Sequence, residues 1–365
     1  MTCGHFRPYC TDPSPVSVLA ESVARRHRLS GHRCMSAQPA KDEAANASSP
    51  LGAPQHGGRR WPAVALKLAL GLGLLAWLVL GGKLRLSAFA GIVLGWEIAA
   101  AAGFILAALL LPCVRWWLLL RYQGIDIAFT SAVKLTWVGY FFGLFLPGAA
   151  SGDLARGYYI VRDSPRSRAR AASTVVIDRG LGLYSLFFIG LAPAAILYAR
   201  GAATPAVRAM TVTTLLLAIG LTLAGALLWH PKSRRRVLRL LPAQMRAPLG
   251  SCLEDYCVRP GGIVACFAIS LAANMLNVLA FIPAAAALRE QLPLLSALLA
   301  GPLIILANSL PISPGGLGVA ESTSSALLHS FGFVHGAEVM LLLRVLIVLS
   351  ALPGAVTYII YHGRR

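Results

Sequence analysis

Five charged residues stand where a chain crossing a bilayer tolerates charge least. Asp153 follows the run Leu146-Pro147-Gly148-Ala149-Ala150-Ser151-Gly152, and Arg179 lies within the next apolar stretch, beside Asp178. Glu321 follows Leu310-Pro311-Ile312-Ser313-Pro314-Gly315-Gly316-Leu317-Gly318, and Arg344 lies within the apolar stretch after it. A guanidinium is planar and can take two phosphate oxygens at once. A helix that begins after glycines adds unpaired N–H groups that favour an anion. Together these groups could hold a phosphate inside a membrane. The same charges can also close on one another, as Asp153 or Asp178 with Arg179 and Glu321 with Arg344, and Ser151 or Asp153 can serve as a helix cap. Both hold if the acid gives way to the substrate. The candidate substrate-binding residues are therefore Arg179, Arg344, Asp153, Asp178 and Glu321 together with Gly148, Gly152, Gly315, Gly316 and Gly318. Pro147, Pro311 and Pro314 are candidates for a structural role, because proline lacks the amide donor and the glycines permit sharp turns. No catalytic group, metal or cofactor is expected.

Spacing links the two constellations. Pro147 to Pro311, Gly152 to Gly318 and Arg179 to Arg344 each stand about 165 residues apart. A Pro/Gly-broken segment followed by an intramembrane Arg in each half describes an internally repeated, transporter-like core. The repeat halves are expected at about 130–229 and 261–360.

The elements that must position these residues are membrane helices. The 365 residues are 57% hydrophobic and 13% charged, with a mean hydropathy of +0.68, whereas soluble domains carry about twice that charge fraction. The chain is thus an all-α, polytopic membrane protein, with 61–365 as the transmembrane domain and 1–60 as a basic, disordered tail. Met35 offers a second candidate start. Apolar runs long enough to span about 30 Å of hydrocarbon cover 62–80, 88–111, 171–199, 207–229, 261–288 and 337–360. Two shorter runs, 130–147 and 294–311, end in the Pro/Gly clusters. The net charge of +19 does not indicate nucleic acid, because the basic residues fall between apolar runs rather than on one soluble face. The seven cysteines are scattered, and the Cys252/Cys257 pair has no nearby His or second pair for zinc.

Charge asymmetry sets the expected topology. The stretch 156–170 carries five Arg, and 232–259 carries one Lys and six Arg, while 291–336 carries neither. Basic connections face the cytoplasm. All of them fall on one side if the two short segments enter and return, one from each face. This gives six full spans, two re-entrant broken helices, inverted repeats and both termini in the cytoplasm; eight plain spans are the alternative. Asn274 and Asn277 share a helix face and either pack between helices or line a polar path. Glu97 sits in an Ala-rich run without a local partner. Trp61, Trp116 and Trp117 fit interfacial anchors.

On Leu-Pro-Gly-x-x-x-Gly-Asp with an Arg in the next span, and Pro-Gly-Gly-Leu-Gly-x-x-Glu with Arg344, the chain resembles the transmembrane domain of lysylphosphatidylglycerol synthases over about residues 62–361. The resemblance implies a flippase-like helical domain. In the two-domain synthases this region is associated with lipid flipping, while a separate soluble domain transfers the amino acid. The last apolar run here ends close to the C-terminus, so aminoacylation is not expected. The reading is a transporter in the plasma membrane for an anionic or phosphate-linked lipid, with no nucleic-acid partner and with lipid-biosynthesis enzymes as candidate partners. The alternative is an intramembrane enzyme, or an accessory subunit, acting on polyprenyl- or glyco-lipids.

Overall fold

The computed structural model describes residues 73, 79–80, 95–145, 151–164, 167–239, 243–258, 260–310 and 312–363. The expected tail and the span expected at 62–80 fall outside this set, apart from three residues of the latter. The described residues are helical, as hydrocarbon requires of any segment that must satisfy its backbone internally. In order the helices are α1 (Trp96–Tyr122), α2 (Phe129–Phe145), α3 (Ser151–Asp163), α4 (Arg168–Ala199), α5 (Pro205–Trp229), α6 (Pro231–Arg239), α7 (Ala243–Val258), α8 (Pro260–Leu279), α9 (Phe281–Ala287), α10 (Leu294–Asn308), α11 (Val319–His329) and α12 (Gly336–Gly363), with a 3-10 turn at Pro314–Gly316 before α11. Among the described residues, five segments are long and apolar enough to cross a bilayer: Trp96–Tyr122, Arg168–Ala199, Pro205–Trp229, Pro260–Ala287 and Gly336–Ile359.

The duplication is visible in the packing. A long helix, a short helix, a break, a shorter helix and a second long helix make up α1 to α4, and the same order recurs when α8 and α9 are taken as the one span Pro260–Ala287, followed by α10, α11 and α12. α2 packs on α12 as α10 packs on α4, and α12 meets α1 as α8 meets α4. Such exchanged pairings are the signature of a pseudo-two-fold relation. The counterparts α1 and α8 also pack on each other, and they run antiparallel. Tyr122 closes on Gly262, so tightly that a Cβ there would meet its ring at 2.7 Å, and Arg115 bonds Ser270. Ala101 and Ile105 share a core cluster with Val278 and Phe281. Antiparallel counterparts mean inverted halves. By element order the first half begins at α1, and α5 to α7 form the connection between halves, tied by Arg234 to Glu254 at 2.8 Å.

The expected run 88–111 differs from the helix observed, which extends to Tyr122 and buries Arg115. Hydropathy ended the run early because a lone Arg scores as a terminator; its compensation lies far away in sequence.

Candidate functional site

The first broken segment folds back on itself through small residues. Gly152 lies against Gly139 so closely that a Cβ on it would fall 2.2 Å from the Gly139 carbonyl oxygen, with Gly143 beside them. Ser151 Oγ donates to the Phe142 carbonyl at 3.2 Å. This hairpin of α2 and α3 brings Asp153 and Arg156 against α4. On α4 neighbouring residues are turned by about 100°, so Asp178 faces inward and Arg179 toward the hairpin's edge.

Asp178 is only 2% exposed. Arg115 Nε and Arg156 Nη2 each donate to its carboxylate at 2.6 Å. Arg115 Nη1 also donates to Ser270 Oγ at 2.7 Å, and the Arg156 guanidinium lies over the Trp116 ring at 5.0 Å. Arg156 Nη2 reaches Asp153 at 2.9 Å, and Arg179 Nη1 stands 3.6 Å from the other Asp153 oxygen. The result is a continuous chain, Arg115–Asp178–Arg156–Asp153–Arg179, of three cations and two carboxylates. Buried charges persist only when paired and hydrogen-bonded, and here each buried arginine meets a carboxylate while Arg179 stands at the exposed edge. Among the described residues, nothing accepts a hydrogen bond from the buried Arg156 Nε.

The second half repeats the placement with a different outcome. Asp153 is the third residue of α3, and Glu321 is the third residue of α11. One Glu321 oxygen accepts from the Gly318 amide at 2.7 Å, capping α11, and the other accepts from Arg344 Nε at 2.5 Å. Arg344 Nη1 donates to the Gly315 carbonyl at 2.5 Å, and its Nη2 donates to the Gly316 carbonyl at 3.1 Å and to Asn308 Oδ1 at 3.2 Å. Gly315, Gly316 and Gly318 all take positive φ. Gly316 has no room for a side chain, since a Cβ would sit 2.4 Å from Asn308 Oδ1.

Two cavities flank the first network. One, of about 210 Å³, lies between the halves and is lined by Gly139, Gly152, Asp153, Arg156 and Arg179 on one side and by Asn308, Ser309, Gly315 and Gly316 on the other. The second, of about 230 Å³, shares Asp153, Arg156 and Arg179 and adds Arg115, Asp178, Asn274 and Asn277. Both exceed the volume that a water needs, and their linings combine cations, carboxamides and glycine backbone. Such a surface can hold an anion and a polar group attached to it.

The structure therefore brings Asp153, Asp178, Arg179, Gly152, Gly315 and Gly316 to one place. Arg344, Glu321 and Gly318 form a separate cluster that fixes the second broken segment. Pro147, Gly148 and Pro311 lie outside the described residues, and Pro314 begins the 3-10 turn. Arg179 pairs with Asp153, and Glu321 with Arg344, whereas Asp178 pairs with Arg115 and Arg156. Sequence reasoning places both arginines in basic connections, Arg115 with Arg121 and Arg156 with the Arg-rich stretch 156–170, where charge needs no explanation. Arg156, counted with the basic 156–170 connection, is instead buried. Its spacing three residues after Asp153 was the available signal. Asn274 Nδ2 donates to Gly182 O and Ser185 Oγ at 2.8 Å each and lines the second cavity, so packing and lining coexist. Residues 64–354 match the family model described as the lysylphosphatidylglycerol synthase TM region. No curated protein and no solved structure gives a significant match.

Proposed function

The chain belongs to the lysylphosphatidylglycerol synthase transmembrane-region family, and from that premise we propose that it carries an anionic or phosphate-linked lipid across the bilayer, its headgroup passing through the two cavities beside Asp153, Arg156 and Arg179. One observation carries this reading: a largely buried network of three arginines and two aspartates borders two cavities, with the guanidinium of Arg179 at its exposed edge, where a phosphodiester monoanion can reach it. The half-exposed Arg179 meets the phosphate first. Asp153, held at 2.9 Å by Arg156 and at 3.6 Å by Arg179, is the counter-ion that the phosphate replaces. Asp178 keeps Arg115 and Arg156 in place meanwhile, and the Arg344 cluster keeps the Gly315–Gly316 wall of the cavity rigid. A plasma-membrane location, cytoplasmic termini and lipid-biosynthesis partner enzymes belong to the same proposal.

The test is purified protein in vesicles that carry a fluorescent, headgroup-labelled phosphatidylglycerol, with an impermeant quencher reporting which leaflet holds the label. Wild type is expected to expose headgroups from the protected leaflet, and Arg179→Gln to lose this while remaining inserted. Equal rates for the two would overturn the assignment of the phosphate to Arg179. Release of phosphate or any other chemical change in the lipid would replace transport with the enzymatic reading.

A further inference from the structure

A third concavity lies on the outer face of the same hairpin. It has a volume of about 600 Å³ and runs between α3 and α4. Its walls are apolar, with Leu154, Tyr158 and Val176 exposed, as suits a surface facing lipid rather than water. The two helices run antiparallel along it. Val161 and Ala172 mark the end nearest the α3–α4 turn, Gly157 and Val175 meet at the middle, and Asp153 and Arg179 mark the far end. The Asp153–Arg179 pair also borders both inner cavities. It is thus the partition between an apolar groove outside and cavities inside whose linings carry Asp153, Arg156 and Arg179. Apolar wall, cation and charge-bearing cavity follow one another as chain, phosphate and headgroup do in a phospholipid.

We infer that the α3–α4 groove holds the hydrocarbon chain of the transported lipid, with its phosphate at Arg179 and its headgroup in the inner cavities. This rests on the transport reading and adds a direction to it. The α3–α4 turn is flanked by Arg162, Arg168 and Arg170, so it lies at a membrane face. A lipid resident in that leaflet has its headgroup at this turn and its chain toward the bilayer centre. The groove offers the opposite polarity, with the phosphate deep and the chain end toward the turn. It therefore fits a lipid whose headgroup has gone ahead and whose chain trails, and not an annular lipid.

That polarity is measurable. Vesicles containing wild-type protein receive phosphatidylglycerol with a photoactivatable diazirine either at the chain terminus or beside the chain carboxyl, and crosslinked residues are mapped by mass spectrometry. The terminal label is expected around Val161 and Ala172, and the proximal label around Leu154 and Gly180. The reverse pattern would show an annular lipid and overturn the inference. A second arm fills the groove. A Cβ on Gly180 would meet nothing within 4 Å, so Gly180→Trp is compatible with folding and its ring occupies the groove beside Arg179. Excluding as few as two methylenes, at about 0.8 kcal/mol each, lowers lipid affinity about tenfold or more, and headgroup translocation is expected to fall in step. Unchanged translocation by a stably folded Gly180→Trp protein would also overturn it. Wild-type vesicles that crosslink with the expected polarity but move no headgroups would remove the transport reading and leave the groove assignment standing.

Discussion

Arg179 and Arg344 occupy equivalent places in the two halves, yet replacing each with Gln should have opposite consequences. Arg344 is 8% exposed and donates to four groups, among them the fully buried Glu321. Arg344→Gln strands that carboxylate, and breaking one side of a buried pair costs about 3–5 kcal/mol. Each carbonyl left without its donor adds to this. At roughly 2–4 °C per kcal/mol, the midpoint of thermal unfolding in detergent should fall by about 6–20 °C. Arg179 differs: its side chain is 42% exposed and stands 3.6 Å from Asp153, so solvent screening holds that pair to about 0.2–1 kcal/mol. Arg179→Gln should therefore unfold within about 4 °C of wild type while losing headgroup translocation. Adding Glu321→Gln to Arg344→Gln removes the stranded charge and should recover part of the loss. Fluorescence-detected size exclusion after graded heating measures all four proteins. Equal destabilisation by the two single replacements would refute the division between a structural and a working arginine.

Three further outcomes follow from the geometry. Asp178→Asn leaves the buried Arg115 and Arg156 cations facing a neutral group, so it should destabilise by about 3–5 kcal/mol, read as a lower unfolding midpoint; an unchanged midpoint would count against a charged network. Gly152→Ala places a Cβ 2.2 Å from the Gly139 oxygen and must part α2 from α3, costing at least about 1–3 kcal/mol, visible as lower stability together with lost translocation. For topology, single cysteines at the exposed Arg236 and at Arg162 should react with an impermeant thiol reagent only from the cytoplasmic side, and one at Val334 only from outside, after the native cysteines are replaced; labelling of position 162 from outside would favour eight full spans.

The fold class and the duplicated plan were legible because they rest on local signals: apolar length, Pro/Gly breaks and a repeated Arg about 165 residues on. The pairing of Glu321 with Arg344 was legible for the same reason, since both belong to one local motif. What the sequence hid was long-range compensation. Arg115 reads as a helix end until Asp178, 63 residues away, is seen to neutralise it. Arg156 reads as a cytoplasmic basic residue until the Gly139–Gly152 approach carries it inward. Hydropathy counts each charge as if it met lipid alone, so a charge neutralised by a distant helix is assigned to a loop.

The difference between the halves has a chemical origin in the two carboxylates themselves. Glu321 and Asp153 start their helices at the same position, but glutamate is longer by one methylene. That reach lets Glu321 bond the Gly318 amide with one oxygen and Arg344 with the other, so cap, cation and broken loop lock into one unit. The shorter Asp153 divides its two oxygens between Arg156 and Arg179, bridging two cations on separate helices instead of fixing one. On the proposed function, a bridge of that kind is open to takeover by another anion, whereas the Glu321 cap is tied to the Gly318 amide. On the proposed function, one methylene then separates the two similar hairpins, the second serving as a fixed wall and the first as the side where a phosphate exchanges.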